Sequence, residues 1–294
     1  FDAALWGHIR FALKNVVRAF TMGLTGSHFV HVNADVAPET KRYYQQLTRF
    51  SAALAFLADV SMGTLGGELK RKEKLSARLG DILSLMYLCS ATLRRYELEG
   101  RQAADAPLMH WAIWDAMFKA QNAFEGVISN FPNRLIASVM RRVVFPLGRP
   151  YVVPSDKLGH EVASLLIEPS ATRDRLTAGV YLSYPGENPP AQTERALAAT
   201  LAAETVEAKL RIAAKEGRFD AKLRPGERFE TLVARAVDAG AITAADGQLL
   251  ATARELTAKV IRVDDFAQDL GASDFRPASV APPATVSVVQ KNNP

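Results

Sequence analysis

The sequence predicts an all-α protein: an antiparallel helical bundle followed by a smaller helical C-terminal part. Three observations carry this. Apolar residues recur at alternating steps of four and three, which lines them along one side of a helix. The links between these segments are short, which favours antiparallel neighbours. No run of alternating β-branched residues is long enough for a sheet, and no internal repeat is present.

The elements follow in order. Leu5, Ile9, Leu13, Val16 and Phe20 mark the apolar side of a first helix, followed by a loop from Gly26 to Val36. Pro38 and Glu39 suit the first turn of a second helix, where a missing amide hydrogen costs nothing and a carboxylate meets the helix dipole. Its buried stripe is Tyr43, Leu47, Phe50, Leu54 and Leu57. A third helix keeps a seven-residue repeat through Leu75, Leu79, Ile82, Met86, Cys89, Leu93 and Tyr96 and stops before Gly100. A fourth follows Asp105 and Pro107, turns Ile113, Met117, Ala120, Phe124 and Val127 inward, and ends at Asn130-Phe131-Pro132.

Shorter helices come next: Asn133 to Phe145, stopped by Pro146, and one opened by Ser155-Asp156 that runs through Val162 and Leu166 and stops before Pro169. The turn chemistry of Tyr181 to Pro190 is the best boundary. Beyond it an Ala-rich helix runs from about Gln192 to Lys215, and a closing pair spans Glu227 to Ala239 and Thr243 to Lys259, with Thr243 and Asp246 placed to cap. The expected domains are therefore 1–182, a bundle; 183–270, a smaller helical part; and 271–294, a flexible tail.

Composition narrows the function classes. The chain has 294 residues and 32.0 kDa, with 48% hydrophobic and 23% charged residues, enough for a packed core and unlike a disordered or collagenous chain. Its one cysteine, Cys89, excludes an intrachain disulfide and fits a reducing compartment. A net charge of +5 is too mild to indicate nucleic-acid binding. A chain that begins at Phe1 is expected to be a piece of a longer polypeptide.

Little in the sequence supports chemistry. His8, His28, His31, His110 and His160 lack accompanying carboxylates or thiolates at ligand spacing, so no metal site is expected. Cys89 lies on an apolar stripe between Met86 and Leu93 and reads as core. Gly63, Gly66 and Gly67 precede Lys70, Arg71, Lys72 and Lys74, but a phosphate loop needs a preceding strand and a Lys-Ser/Thr pair, and neither is there. The closing helix pair imitates a DNA-binding helix-turn-helix, yet Gln248, Thr252, Arg254 and Glu255 offer one cation to phosphates.

Two basic stripes stand out. No acidic residue falls between Glu125 and Asp156, while Arg134, Arg141, Arg142 and Arg149 do, alongside Leu135, Ile136, Val139, Met140, Val143, Val144 and Phe145. Such a segment either docks its apolar side on the bundle and offers arginines to a partner's carboxylates, or lies on an anionic membrane. Arg10, Lys14 and Arg18 form the second stripe, on the first helix.

Several blocks resemble one family when taken together. They are Tyr43-Tyr44-Gln45-Gln46-Leu47, Asp59-Val60-Ser61-Met62 leading to Leu65-Gly66-Gly67, and Leu75-Ser76-Ala77-Arg78-Leu79-Gly80-Asp81-Ile82-Leu83-Ser84. Asn130-Phe131-Pro132-Asn133-Arg134, Pro154-Ser155-Asp156-Lys157-Leu158 and Pro169-Ser170-Ala171-Thr172-Arg173 continue the series. In this order, from about residue 1 to Phe266, they resemble the C-terminal region of the long bacterial acyl-coenzyme A dehydrogenases of fatty-acid β-oxidation.

The resemblance implies a full-length flavoenzyme that oxidises acyl-CoA to trans-2-enoyl-CoA, with a carboxylate removing the α-proton and FAD accepting the β-hydride. It also implies that base and flavin belong to a preceding domain, so no catalytic, cofactor or metal residue is expected here. Glu125-Gly126-Val127 is similar to the context of the family's base but lies on a bundle helix. The expected role is contact: with the preceding catalytic domain or a second subunit, in a homo-oligomer handling long-chain acyl-CoA in the cytoplasm. Peripheral attachment to the inner membrane through 133–149 is the alternative. Arg134, Arg141, Arg142 and Arg149 are the residues expected to make the contact, with lipid phosphate, CoA phosphate or protein carboxylate; nucleic acid is not an expected partner.

Overall fold

The computed structural model describes residues 2–32, 35–183 and 188–263, and within them the chain forms ten α-helices and no strand. It divides into two compact units, Phe1–Ala178 and Gly179–Pro294. The division falls just ahead of the 182–183 boundary read from the sequence. The expected tail, 271–294, and the Pro185-Gly186 turn lie outside the described residues.

The first unit contains α1 (Asp2–Leu24), α2 (Pro38–Leu65), α3 (Glu73–Leu98), α4 (Ala106–Ser129), α5 (Arg134–Val144), α6 (Asp156–Ile167) and α7 (Ala171–Thr177). The heptad stripe of α3 lies along α4, burying Leu75, Ile82, Cys89, Leu93 and Tyr96 against Ile113, Met117, Ala120, Phe124 and Val127. Phe50 of α2 completes this core, edge-on to the rings of Phe124 and Tyr151 at centroid distances of 5.3 and 5.0 Å.

Long-range polar contacts fix the helix ends. The N terminus of α2 has no side-chain cap of its own; Glu97 of α3 accepts hydrogen bonds from the Ala37 amide at 2.9 Å and the Thr40 hydroxyl at 2.6 Å. Asn133, Ser155 and Ser170 cap α5, α6 and α7 with their own side-chain oxygens. The short helix α7 has no counterpart among the elements read from the sequence, because seven residues are too few to display a periodic pattern.

By length and composition the stretch Pro38–Lys70 could cross a membrane. Within this fold α2 instead supplies Leu47, Phe50, Phe56 and Leu57 to the core, the position of a central bundle helix.

The second unit contains α8 (Pro189–Lys215), α9 (Phe229–Asp238) and α10 (Ala244–Ile261). Ala203, Val206, Leu210 and Ala213 of α8 pack with Leu250 and Ala253 of α10 and with Leu232, Val233 and Ala236 of α9. Thr243 and Asp246 form a reciprocal capping box at the start of α10.

Candidate functional site

Helix α1 departs from the pattern of its neighbours. Every described residue from Asp2 to Phe11 is exposed, so the first three turns have no tertiary support among the described residues. A helix of that length is marginal in water unless something packs on it. Further along, the inward side is made of small and polar residues: Ala12, Asn15, Val16, Ala19 and Gly23 face α2 and α5. Asn15 Nδ2 donates to the Asp59 carboxylate at 2.8 Å, and a Cβ on Gly23 would lie 2.9 Å from Pro146 Cδ.

This corrects the stripe read from the sequence. Of Leu5, Ile9, Leu13, Val16 and Phe20, only Val16 is packed. The close approach of α1 to α2 and α5 selects small side chains, and the large ones are turned outward. Trp6, Leu13, Val17, Phe20 and Leu24 are 67%, 60%, 60%, 41% and 48% exposed. A run of large apolar side chains this open is the mark of an interaction surface. Arg10, Lys14 and Arg18 flank it, and none of the three has a carboxylate within ion-pair distance among the described residues.

Sequence reasoning missed the clasp that holds the exit of α1. Arg42 Nη2 donates to the Gly26 carbonyl at 2.6 Å, and Gln45 Nε2 donates to the carbonyls of His28 and Val30, both at 3.1 Å. Both side chains sit off the apolar stripe of α2, and nothing in the sequence pairs them with a loop some sixteen residues upstream.

The other basic stripe is built differently. Helix α5 turns Ala137, Met140, Val143 and Val144 into the core, leaving Leu135 and Val139 as its outward apolar residues. Arg141 makes a bidentate pair with Glu125, both contacts 2.6 Å, and Ser129 adds a hydrogen bond to the same carboxylate at 2.5 Å. Partial burial pushes the Glu125 carboxyl up, but the bonds from Arg141 and Ser129 outweigh it and hold the group below its ordinary range. Arg134 donates to the Ser129 carbonyl and Arg142 to Ser138, whereas Arg149 is exposed. The structure thus gathers Arg134 and Arg141 around the end of α4, and all four arginines remain solvent-facing.

Of the remaining reactive residues, Cys89 and His110 are accounted for by packing, while His8, His28, His31 and His160 are exposed. Burial pushes the Cys89 thiol up to about 12, an inert core group. His110 Nδ1 lies 2.7 Å from the Tyr43 hydroxyl, and burial lowers its pKa. No group of three His, Cys, Asp or Glu side chains could hold a metal among the described residues. Arg254, the cation of the helix-turn-helix resemblance, lies 4.1 Å over the Phe229 ring. An apolar cavity of about 340 Å³ lies between α3, α4, α6 and α7, with Leu108, Trp111 and Leu166 on its walls and the Asp105–Arg175 pair on its rim.

Among the described residues no glycine turn has the geometry of a strand-turn-helix dinucleotide fingerprint. The glycines at 66 and 67 sit on an exposed 3-10 turn between two helices, with no strand to orient a pyrophosphate on a helix N terminus.

Residues 1–266 match the family described as acyl-CoA dehydrogenase, C-terminal, bacterial type. No solved structure matches the chain.

Proposed function

Because the chain belongs to the bacterial-type acyl-CoA dehydrogenase C-terminal family, we propose that it is the contact module of a full-length flavoenzyme, packing on the preceding catalytic domain or on a second subunit. The observation that carries this reading is the uncovered apolar side of α1, together with three turns of helix that no other element among the described residues supports. Covering that side removes large apolar surface from water and gives the helix the tertiary packing that its length requires.

In this reading FAD and the proton-abstracting carboxylate belong to the preceding domain, which converts acyl-CoA to trans-2-enoyl-CoA. The module's own part is positional: docked on that domain or between subunits of a homo-oligomer, it fixes the walls of the site that receives the long acyl chain. The enzyme is assigned to the cytoplasm. Arg134, Arg141, Arg142 and Arg149 are the secondary contacts of this reading, and Arg141 already pairs with Glu125.

The test compares the complete enzyme with one lacking this region. Loss of subunit association or of acyl-CoA oxidation on deletion is the expected result. If the truncated enzyme keeps its activity and subunit number, and the 294-residue chain folds alone as an indifferent species, the reading fails. Incubating the isolated chain with acyl-CoA and a dye acceptor should give no turnover.

A further inference from the structure

The outward side of α1 has the spacing of a helix-pairing seam. Trp6, Leu13 and Phe20 recur every seven residues, and Val17 and Leu24 fall four after Leu13 and Phe20. At about 100° per residue these five side chains form one strip, the two rows that alternate in a coiled-coil interface. Arg10 occupies the remaining position of the second row, Lys14 lies about 40° beyond it at the edge of the strip, and Arg18, half-buried, lies about 40° further round. The opposite edge is Ile9, Val16 and Gly23, where α1 turns toward the bundle. The seam is therefore one-sided in charge: cations along one edge and within it, and no carboxylate after Asp2 anywhere on the helix.

That asymmetry selects the occupant. An antiparallel pair of two α1 helices sets the same edge of each against the other, Lys14 facing its own copy; a parallel pair sets the two Arg10 side chains together inside the seam. Either arrangement places like charges in contact with no acidic residue to relieve them, so a second copy of α1 is a poor partner. A helix whose apolar strip is edged by carboxylates satisfies both features at once.

We infer that α1 is one half of a heterotypic helix pair, and that its partner is an amphipathic helix of another domain or subunit carrying Asp or Glu along the edge that meets Arg10, Lys14 and Arg18. This rests on the contact role proposed above and specifies the chemistry of the surface contacted.

The test titrates the 294-residue chain with two synthetic peptides of residues 2–24. One is unchanged; the other carries Arg10→Glu, Lys14→Glu and Arg18→Glu, which keeps the apolar strip and reverses its edge. Calorimetry should show the charge-reversed peptide binding at least about tenfold more tightly at low salt, with the gap closing toward about 0.5 M salt as screening sets in. Val17→Asp in the chain should abolish binding, and Lys14→Glu alone should narrow the preference; circular dichroism of both variants checks that they fold.

Equal affinity for the two peptides overturns the inference. So does concentration-dependent self-association of the unaltered chain that Val17→Asp removes, which would make a second copy the occupant. Co-sedimentation with vesicles of about one quarter phosphatidylglycerol, lost in Val17→Asp, would make it a lipid surface. None of these readouts uses the full-length enzyme. A charge-selective seam in a chain whose deletion leaves the enzyme unaffected would therefore refute the contact role and leave the seam standing.

Discussion

Helices α1 and α5 carry the same sequence signature, a row of large apolar residues bordered by basic residues, and the fold treats them in opposite ways. In α5 the apolar row is inside, with Met140 fully buried, and one of the arginines closes on Glu125 in the same unit. In α1 the large residues are outside, the small ones inside, and the cations have no acidic neighbour within ion-pair distance among the described residues. A basic amphipathic row thus does not by itself identify a docking surface. What separates the two is whether the chain covers the apolar side with its own residues.

Four variants would break or sharpen that contrast. The largest effect belongs to the covered side: Met140→Ala in α5 should cost about 2–5 kcal/mol, read as a lower urea midpoint, since it leaves a cavity in a packed core. Gly23→Ala is next, at about 1–3 kcal/mol, because its Cβ meets the rigid Pro146 ring and the better helix propensity of Ala does not make up for the overpacking. A neutral Gly23→Ala would mean that α1 does not sit against α5 as described.

Arg141→Ala should cost about 0.5–1 kcal/mol at neutral pH, the range for a half-exposed but bidentate pair. Glu125 is held below its ordinary value of 4.5 in the folded state, so the pair's contribution is complete above that value and is lost as pH falls through the lower folded one. Unfolding curves of the two proteins should therefore converge in acid. The smallest effect belongs to the uncovered side. Leu13→Ser combined with Val17→Ser should change the stability of the isolated chain by no more than about 0.5 kcal/mol, while removing its capacity to bind the charge-reversed peptide. A large loss of stability there would show that these side chains are already packed.

Much of the architecture was readable in the residues. The seven-residue repeat of α3 and the inward row of α4 predicted the buried side chains, because a helix with a single apolar side has one way to face a core. Helix starts were also legible: Ser155 opens α6, and Thr243 and Asp246 hold each other's amides at the start of α10. Helix α1 was not legible. It has apolar residues around most of its circumference, and periodicity cannot rank two apolar sides when one of them packs through Ala19 and Gly23. The ion pair of Arg141 was hidden for another reason. Its partner Glu125 is sixteen residues away on a different helix, and local charge counting treats the two as the end of one segment and the middle of the next.

The sequence by itself determined that the chain is helical, where most helices begin and end, and which family it joins, because propensity, capping and ordered blocks of residues are local properties of the chain. Which apolar side would be buried, which cations would find carboxylates, and which helix would keep its large apolar residues exposed were decided only by tertiary structure. Those outcomes depend on how closely two helices can approach, and that distance is set by pairs of side chains far apart in sequence.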